Sequence, residues 1–515
     1  MSTLLCLAEA LAASASLIWL VPLLPFIAAV IIGLRLAAGV AGDDAEPATV
    51  AVARGAALGV LVLLSAIVLG ALGATVPGLV SHGEWMDVQG IQVPISFTVD
   101  TLSLSVACVV AFIGWATLHF AAAYLHREPG FHRFFLGLCL LLAGMLLLVL
   151  AGNAVVAFVG WELCGISSWM LIGFADERPT ATGNALFGFI TNRIGDAGFL
   201  LGIGLSFWWL GSVEWSTVAA GDIPETVKAR LLALGFVTAA LAKSAQLPFT
   251  PWIARALEGP TPSSAVYYGA VMVHAGVYLL LRCEPLLLQV PDMMAALALA
   301  GAATAIHAWL CGRVQTDVKT ALLYATVSHV GLMVMACGLG WFALAHVYLL
   351  LHALWRGYQF LLAPSYLQLA PSRPAPLPQW LAGNAFLYTA ALQRFWIDRV
   401  AHGLLTRPTL TLGRDVREFD DQVLDRLIGA PREATQSAKE GRAEPVQGNG
   451  VAGRALLRLS DLLQGFETRL VLEGEGGAAA RLLHRLGVAL KAIEALLEQP
   501  RYLMLMVMAT FVVII

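Results

Sequence analysis

The stretch Phe158-Val-Gly-Trp-Glu-Leu-Cys-Gly-Ile-Ser-Ser-Trp169 places one carboxylate, Glu162, in a run that is otherwise uncharged from Phe134 to Ala175. Such a run covers two passes through a hydrocarbon core, each of which takes about 20 apolar residues. Working outward, similar stretches fall near 15–38, 54–78, 101–123, 134–151, 153–174, 184–211, 229–248, 263–282, 293–312, 318–338 and 341–365. The fold class this predicts is all-α: a polytopic membrane bundle of about eleven core helices. Composition agrees, with 59% hydrophobic residues and only 13% charged in 515 residues, against roughly 25% charged in a soluble domain. Mean hydropathy is +0.78.

Several function classes are excluded early. A net charge of -3 offers no basic stripe for a nucleic acid. The seven cysteines stand singly, without CxxC or a Cys/His cluster, so no metal, haem or iron-sulfur site is expected in this chain. No glycine-rich phosphate loop is present, and no cofactor is expected. The first apolar stretch carries Glu9 and no Lys or Arg before it, so it reads as an uncleaved helix, not a signal peptide.

Basic residues around Arg35–Arg54, Arg127–Arg133, Arg178, Arg255 and Arg313–Lys319 alternate along the chain with less basic loops such as 81–100. That asymmetry predicts a bacterial inner-membrane protein with its N-terminus outside. Beyond 366 the composition changes, and more than half of the 31 Lys and Arg residues lie there. The expected organisation is a membrane bundle over 1–365, amphipathic helices on the cytoplasmic side over 366–500 with a flexible linker at about 431–453, and a hydrophobic anchor at 501–515. The amphipathic stretches are Leu456–Leu472 and Leu482–Leu497.

An ionisable group at the centre of a membrane helix costs about 2.5–3.5 kcal/mol on insertion scales, so each one is a candidate site. Glu162 is the first. In Thr191-Asn-Arg-Ile-Gly-Asp196, Arg193 and Asp196 stand three apart on one helix face and can pair. In Ala242-Lys-Ser-Ala-Gln-Leu-Pro248, prolines at 248 and 251 break the helix just beyond Lys243. His346, His352 and Arg356 form a third group, and His274 and His329 are further candidates. Acid, base and imidazole groups in a dry interior, beside a helix break, suit a proton or cation relay. Glu162 beside Lys243 is expected to form a switchable pair. The competing reading is that the charges are static ion pairs locking helices together, above all Arg193 with Asp196.

In this order the motifs Phe97-Thr-Val-Asp-Thr-Leu-Ser103, Gly130-Phe-His-Arg-Phe-Phe135, Gly160-Trp-Glu162, Asn192-Arg-Ile-Gly-Asp196, Lys243-Ser-Ala-Gln-Leu-Pro248, Glu258-Gly-Pro-Thr-Pro262, Asp317-Val-Lys319 and Tyr324-Ala-Thr-Val-Ser328 resemble the antiporter-like membrane subunits of respiratory complex I. The L-type subunit is the nearest in pattern, and Mrp antiporters and DabB-type inorganic-carbon transporters are similar. The resemblance implies two inverted five-helix repeats, each with a broken helix. It implies roles for Glu162 as the acid of a charge pair, Lys243 as the proton-exchanging lysine and Asp196 as a supporting acid. A family histidine falls at Tyr268, with His274 about two turns on, and a family lysine falls at Arg356, which holds its proton too tightly to exchange it. The second repeat stops after three helices, and Leu392–Asp398 through Val423–Asp425 again resemble the end of an L-type subunit.

His352-Ala-Leu-Trp-Arg-Gly-Tyr-Gln-Phe-Leu361 looks somewhat closer to the DabB form. The leading expectation is therefore a proton- or sodium-conducting subunit of a two-component carbon dioxide/bicarbonate uptake complex, its partner a large soluble carbonic-anhydrase-like (DabA-like) protein carrying zinc. The alternative is a proton-translocating L-type subunit of NADH:quinone oxidoreductase or a related energy-converting complex, with other complex I subunits as partners. A third reading is a scaffold that has lost transport.

Overall fold

A computed structural model describes residues 14–73, 78–88, 91–220, 223, 226–270, 272–365 and 377–419. Among the described residues, eleven helices make up the bundle: α1 (Leu20–Ala37), α2 (Glu46–Gly73), α3 (Thr101–Tyr124), α4 (Phe131–Leu150), α5 (Ala154–Ile172), α6 (Pro179–Leu210), α7 (Thr226–Lys243), α8 (Met272–Arg282), α9 (Pro291–Arg313), α10 (Val318–Gly338) and α11 (Phe342–Leu362). Among the described residues, eight helical segments are long and apolar enough to cross a membrane. α6, α7 and α11 are not among them, and they are the helices that carry Arg193, Asp196, Lys243, His352 and Arg356. The chain is a multi-pass helical membrane protein.

Helix starts are fixed by side chains that satisfy the first free amides. Asp100 and Ser103 form a capping box on α3, the Ser103 amide donating to Asp100 Oδ1 at 2.7 Å. Asn153 caps α5 and Asp317 caps α10, each accepting an amide hydrogen bond, at 2.9 and 2.8 Å. Helix contacts are made close by small residues, as is usual where lipid supplies no hydrophobic drive. A Cβ placed on Gly160 would stand 2.6 Å from the carbonyl oxygen of Gly144, and one on Gly269 would stand 2.5 Å from the Gly357 Cα.

Turns at one end of the bundle are tied by polar contacts. Arg133 pairs with Asp176 at 2.6 Å, Arg178 with Glu258 at 2.7 Å, and Glu46 accepts from His126 and from the Arg127 amide. The Arg133 guanidinium holds the exposed Asp176 carboxyl below the usual carboxylate range. At the other end lies an antiparallel hairpin, β1 (Leu79–Val88) and β2 (Ile91–Thr98), with Leu79 opposite Thr98. Further bridges, Phe97 to Ala151 and Asn153 to Glu214, anchor the hairpin over the α4–α5 and α6–α7 connections. The loop expected over 81–100 is instead largely this hairpin, and α2 is described as far as Gly73, with 74–77 of the expected second span outside the described residues. The alternation Ile91, Val93, Ile95, Phe97 is a strand period that a search for long apolar runs passes over.

α7 ends at Lys243, and the chain then runs through a cis Leu247–Pro248 bond to a short helix, Pro251–Arg255. The helix break expected next to Lys243 is present. α8 is preceded by Thr261–Ser264 and a π-helical stretch, Ala265–Ala270, and such stretches are frequent at functional positions. After α11, short helices at Gln379–Ala382, Ala385–Leu392 and Ile397–Ala401 lead to α12 (Arg407–Phe419). The chain divides into compact units 1–409 and 410–515, and of the second only residues 410–419 are described. The expected linker, both amphipathic stretches, Val423–Asp425 and the anchor lie outside the described residues.

Candidate functional site

Two polar clusters lie inside the helices. The first is assembled from α5, α6 and the end of α7. Trp161 is at its centre, 1% exposed. Its indole Nε1 donates to Asp196 Oδ1 at 2.6 Å, and its backbone carbonyl accepts from Lys243 Nζ at 3.3 Å. The same ammonium stands 4.7 Å from the indole ring centroid, a cation–π contact worth about 2 kcal/mol when desolvated. Lys243 is 1% exposed and Asp196 4%. Arg193 pairs with Asp196 at 2.8 Å and, across helices, donates to Glu162.

Arg193 is thus shared between two carboxylates, and two acids balance two bases. The expected direct pair of Glu162 with Lys243 is not formed. Glu162 engages Arg193 from the neighbouring helix instead, and Lys243 lies against Trp161. Gly165 explains how two cations fit side by side: a Cβ there would fall 2.8 Å from Arg193 Nη2 and 4.0 Å from Lys243 Nζ. A side chain there would press on the Arg193 guanidinium, whereas its distance to the Lys243 ammonium is an ordinary contact.

The second cluster joins α8, α10 and α11. His274 Nε2 and His352 Nδ1 are 2.9 Å apart and hydrogen-bonded. The His352 ring lies 5.1 Å from the His329 ring, and His329 Nδ1 is hydrogen-bonded to the Tyr348 hydroxyl. His274 is 1% exposed, His352 6% and Arg356 4%. The close Gly269–Gly357 approach brings α11 and the π-helical stretch before α8 together at this level. His346 departs from the group. Its Nε2 is hydrogen-bonded to Ser105 Oγ at 2.8 Å, on α3, because residues 346 and 352 point to different sides of a 3.6-residue helix. Tyr268, at the family histidine's position, donates to the Ile253 carbonyl at 2.9 Å and carries no imidazole function.

Residue types hid part of both clusters. Trp161 and Tyr348 are neutral, so a search for ionisable groups passes them over. The signals were present, Trp161 next to Glu162 and Tyr348 one turn before His352. Near the hairpin end, Arg282 holds Asp100 through hydrogen bonds of 2.5 and 3.3 Å and also donates to the Tyr278 hydroxyl at 2.8 Å. Burial works to raise the Asp100 carboxyl, but the bonds from Arg282 and Ser103 outweigh it and hold the group below its ordinary value. Among the described residues no group of three or more His, Cys, Asp and Glu is placed to hold a metal ion.

An all-helical membrane bundle with a broken helix at a buried lysine defines an antiporter-like class, and comparison with known proteins gives the family. The model of the membrane region of NADH:quinone oxidoreductase and Mrp antiporters matches residues 151–371, and that of the complex I chain 5 N-terminus matches 85–135. A chloroplast NAD(P)H-quinone oxidoreductase subunit 5 from Zygnema circumcarinatum is 37% identical over 355 residues, 67% of this chain and 50% of that one. NADH-quinone oxidoreductase subunit L of Mycobacterium tuberculosis is 38% identical over 281 residues, 54% of this chain and 44% of that one. Among solved structures, the Mrp complex of a Dietzia species matches with a TM-score of 0.59 at 29% identity, covering 67% of this chain and 37% of that one. An archaeal membrane-bound sulfane sulfur reductase, at 20% identity and a TM-score of 0.57, shares the fold.

The chain belongs to the antiporter-like membrane subunits of complex I and the Mrp complexes. It spans about half the length of the curated relatives it matches. These relatives correct the carbon-uptake expectation: they are named as quinone oxidoreductase subunits L and 5, and none indicates a carbonic-anhydrase-coupled system. The zinc-bearing partner was inferred only from that reading and falls with it.

Proposed function

We propose that the chain is a proton-translocating, L-type subunit of NADH:quinone oxidoreductase or a related energy-converting membrane complex, and that its partners are other subunits of that complex. The observation that carries this reading is the charge-balanced cluster of Glu162, Arg193, Asp196 and Lys243 at the end of a broken helix. A buried lysine keeps its proton while an anion stays close and gives it up as that anion is withdrawn. Arg193 supplies the means, because a guanidinium shared by two carboxylates can shift its weight from one to the other. When Arg193 moves toward Asp196, Glu162 is freed. When it moves toward Glu162, Asp196 is left to Trp161 and Lys243. The histidines of the second cluster, in hydrogen-bond contact from His274 to His352, extend the path sideways.

The basic turns at one end of the bundle support placing that end on the cytoplasmic side and the N-terminus outside. The test is substrate-driven proton uptake into vesicles containing the whole complex, with subunit content and redox turnover measured on the same preparation. Lys243→Ala is expected to abolish uptake while the complex assembles. Unchanged uptake would support a scaffold instead and overturn the proposal.

A further inference from the structure

Among the described residues Arg356 has no counter-charge. It is 4% exposed, its Nε is enclosed without a hydrogen-bond partner, and no ion pair to it exists among the described residues. Its neighbours in the cluster are imidazoles and a phenol: His352 one turn before it, then His274, His329 and Tyr348. Asp100, at the start of neighbouring α3, is occupied by Arg282. An arginine does not shed its charge in a protein, and an uncompensated buried charge is strongly destabilising. Arg193, in the other cluster, faces two carboxylates.

The surface of α11 indicates where the missing anion comes from. Leu344, Val347, Leu351, Trp355 and Tyr358 are 53–63% exposed and form one stripe of the helix. His352, Arg356 and Phe360 form the buried side. At 3.6 residues per turn, Tyr348 and Gln359 fall on the boundary between stripe and buried side, and both are partly exposed. The Gln359 side-chain oxygen is also enclosed without a partner. Polar groups on that boundary, within the length of a membrane helix, are unsuited to lipid.

We propose that this edge of α11 is a docking surface for a transmembrane helix of another membrane subunit, and that the helix brings a carboxylate against Arg356. The apolar stripe supplies the packing, Gln359 and Tyr348 supply hydrogen bonds at the rim, and the arginine sets the charge the partner must carry. The inference stands apart from the proposed transport activity, since it concerns a contact.

A photo-crosslinking benzophenone residue placed at Leu351 and at Trp355 in the full chain, irradiated in native membranes, tests this, with Leu58 on α2 (55% exposed) as control. The expected product joins this edge, and not Leu58, to one transmembrane helix of a different chain that contains an Asp or Glu. Changing that acid to Asn or Gln should lower crosslink yield about tenfold. Arg356→Gln should do the same, and Arg356→Lys should keep most of it. The acid-side change leaves this chain intact, so the test holds even where Arg356→Gln does not fold. Crosslinks to lipid alone, to residues 420–515 of the same chain, or to a helix without a carboxylate would overturn the proposal. So would a yield that ignores neutralisation of the acid.

Discussion

The two polar clusters are built on opposite principles. Around Trp161, two acids and two bases are matched within three adjacent helices, and the cluster closes its charge account from its own residues. Around His352, three imidazoles and a phenol surround an arginine that no carboxylate meets among the described residues. A lysine in the first cluster can gain and lose a proton, whereas an arginine in the second can only bias its neighbours. The difference is one of charge: the first cluster balances its acids and bases from its own residues, and the second leaves its arginine without a carboxylate among the described residues.

The largest expected effect breaks the first cluster at its centre. Lys243→Ala should lower proton uptake by at least about a hundredfold, the scale of losing a positioned proton carrier, with subunit content unchanged on gels of the purified complex. Glu162→Gln should follow at about tenfold, because Arg193 then rests on Asp196 alone and loses its alternation. It is read in the same vesicles. A smaller loss, about threefold, is expected from Gly165→Ala. The added methyl pushes on the Arg193 guanidinium 2.8 Å away, and since that side chain can yield, the cluster should survive in a shifted form.

The second cluster sharpens the comparison through a pair of variants. His352→Gln should slow proton uptake several-fold, while His346→Gln, which touches Ser105 and not the imidazole cluster, should stay within about twofold of the parent. Equal effects of the two would mean that His346 and His352, though separated in space, act alike.

The smallest effect concerns the Asp100–Arg282 latch outside both clusters. Asp100 has a lowered folded value, so its contribution is present above its ordinary 3.8 and is lost as pH falls through the lower folded one. Because the carboxylate is 39% exposed, solvent screening limits its worth to about 0.5–1 kcal/mol. Thermal unfolding of Asp100→Asn in detergent should show that loss at neutral pH and converge with the parent in strong acid.

Much of the fold was legible because a bilayer fixes helix length: long apolar runs marked the eleven bundle helices among the described residues, and the prolines at 248 and 251 marked the break after Lys243. The hairpin at Leu79–Thr98 was not, since its alternating strand is too short for that search. Within the site, pairs on a single helix turn could be read, as Arg193 with Asp196. The Arg193–Glu162 contact spans two helices and 31 positions, and only the packing of α5 on α6 creates it. The separation of His346 from His352 is likewise a matter of which side each residue faces once α11 is docked.

One measurement reaches the central claim most directly: proton uptake by vesicles containing the whole complex, parent against Lys243→Ala, at matched subunit content and with redox turnover recorded in parallel. The account predicts that uptake disappears in the variant although the complex is complete. Uptake equal to the parent, with the lysine gone, would contradict it.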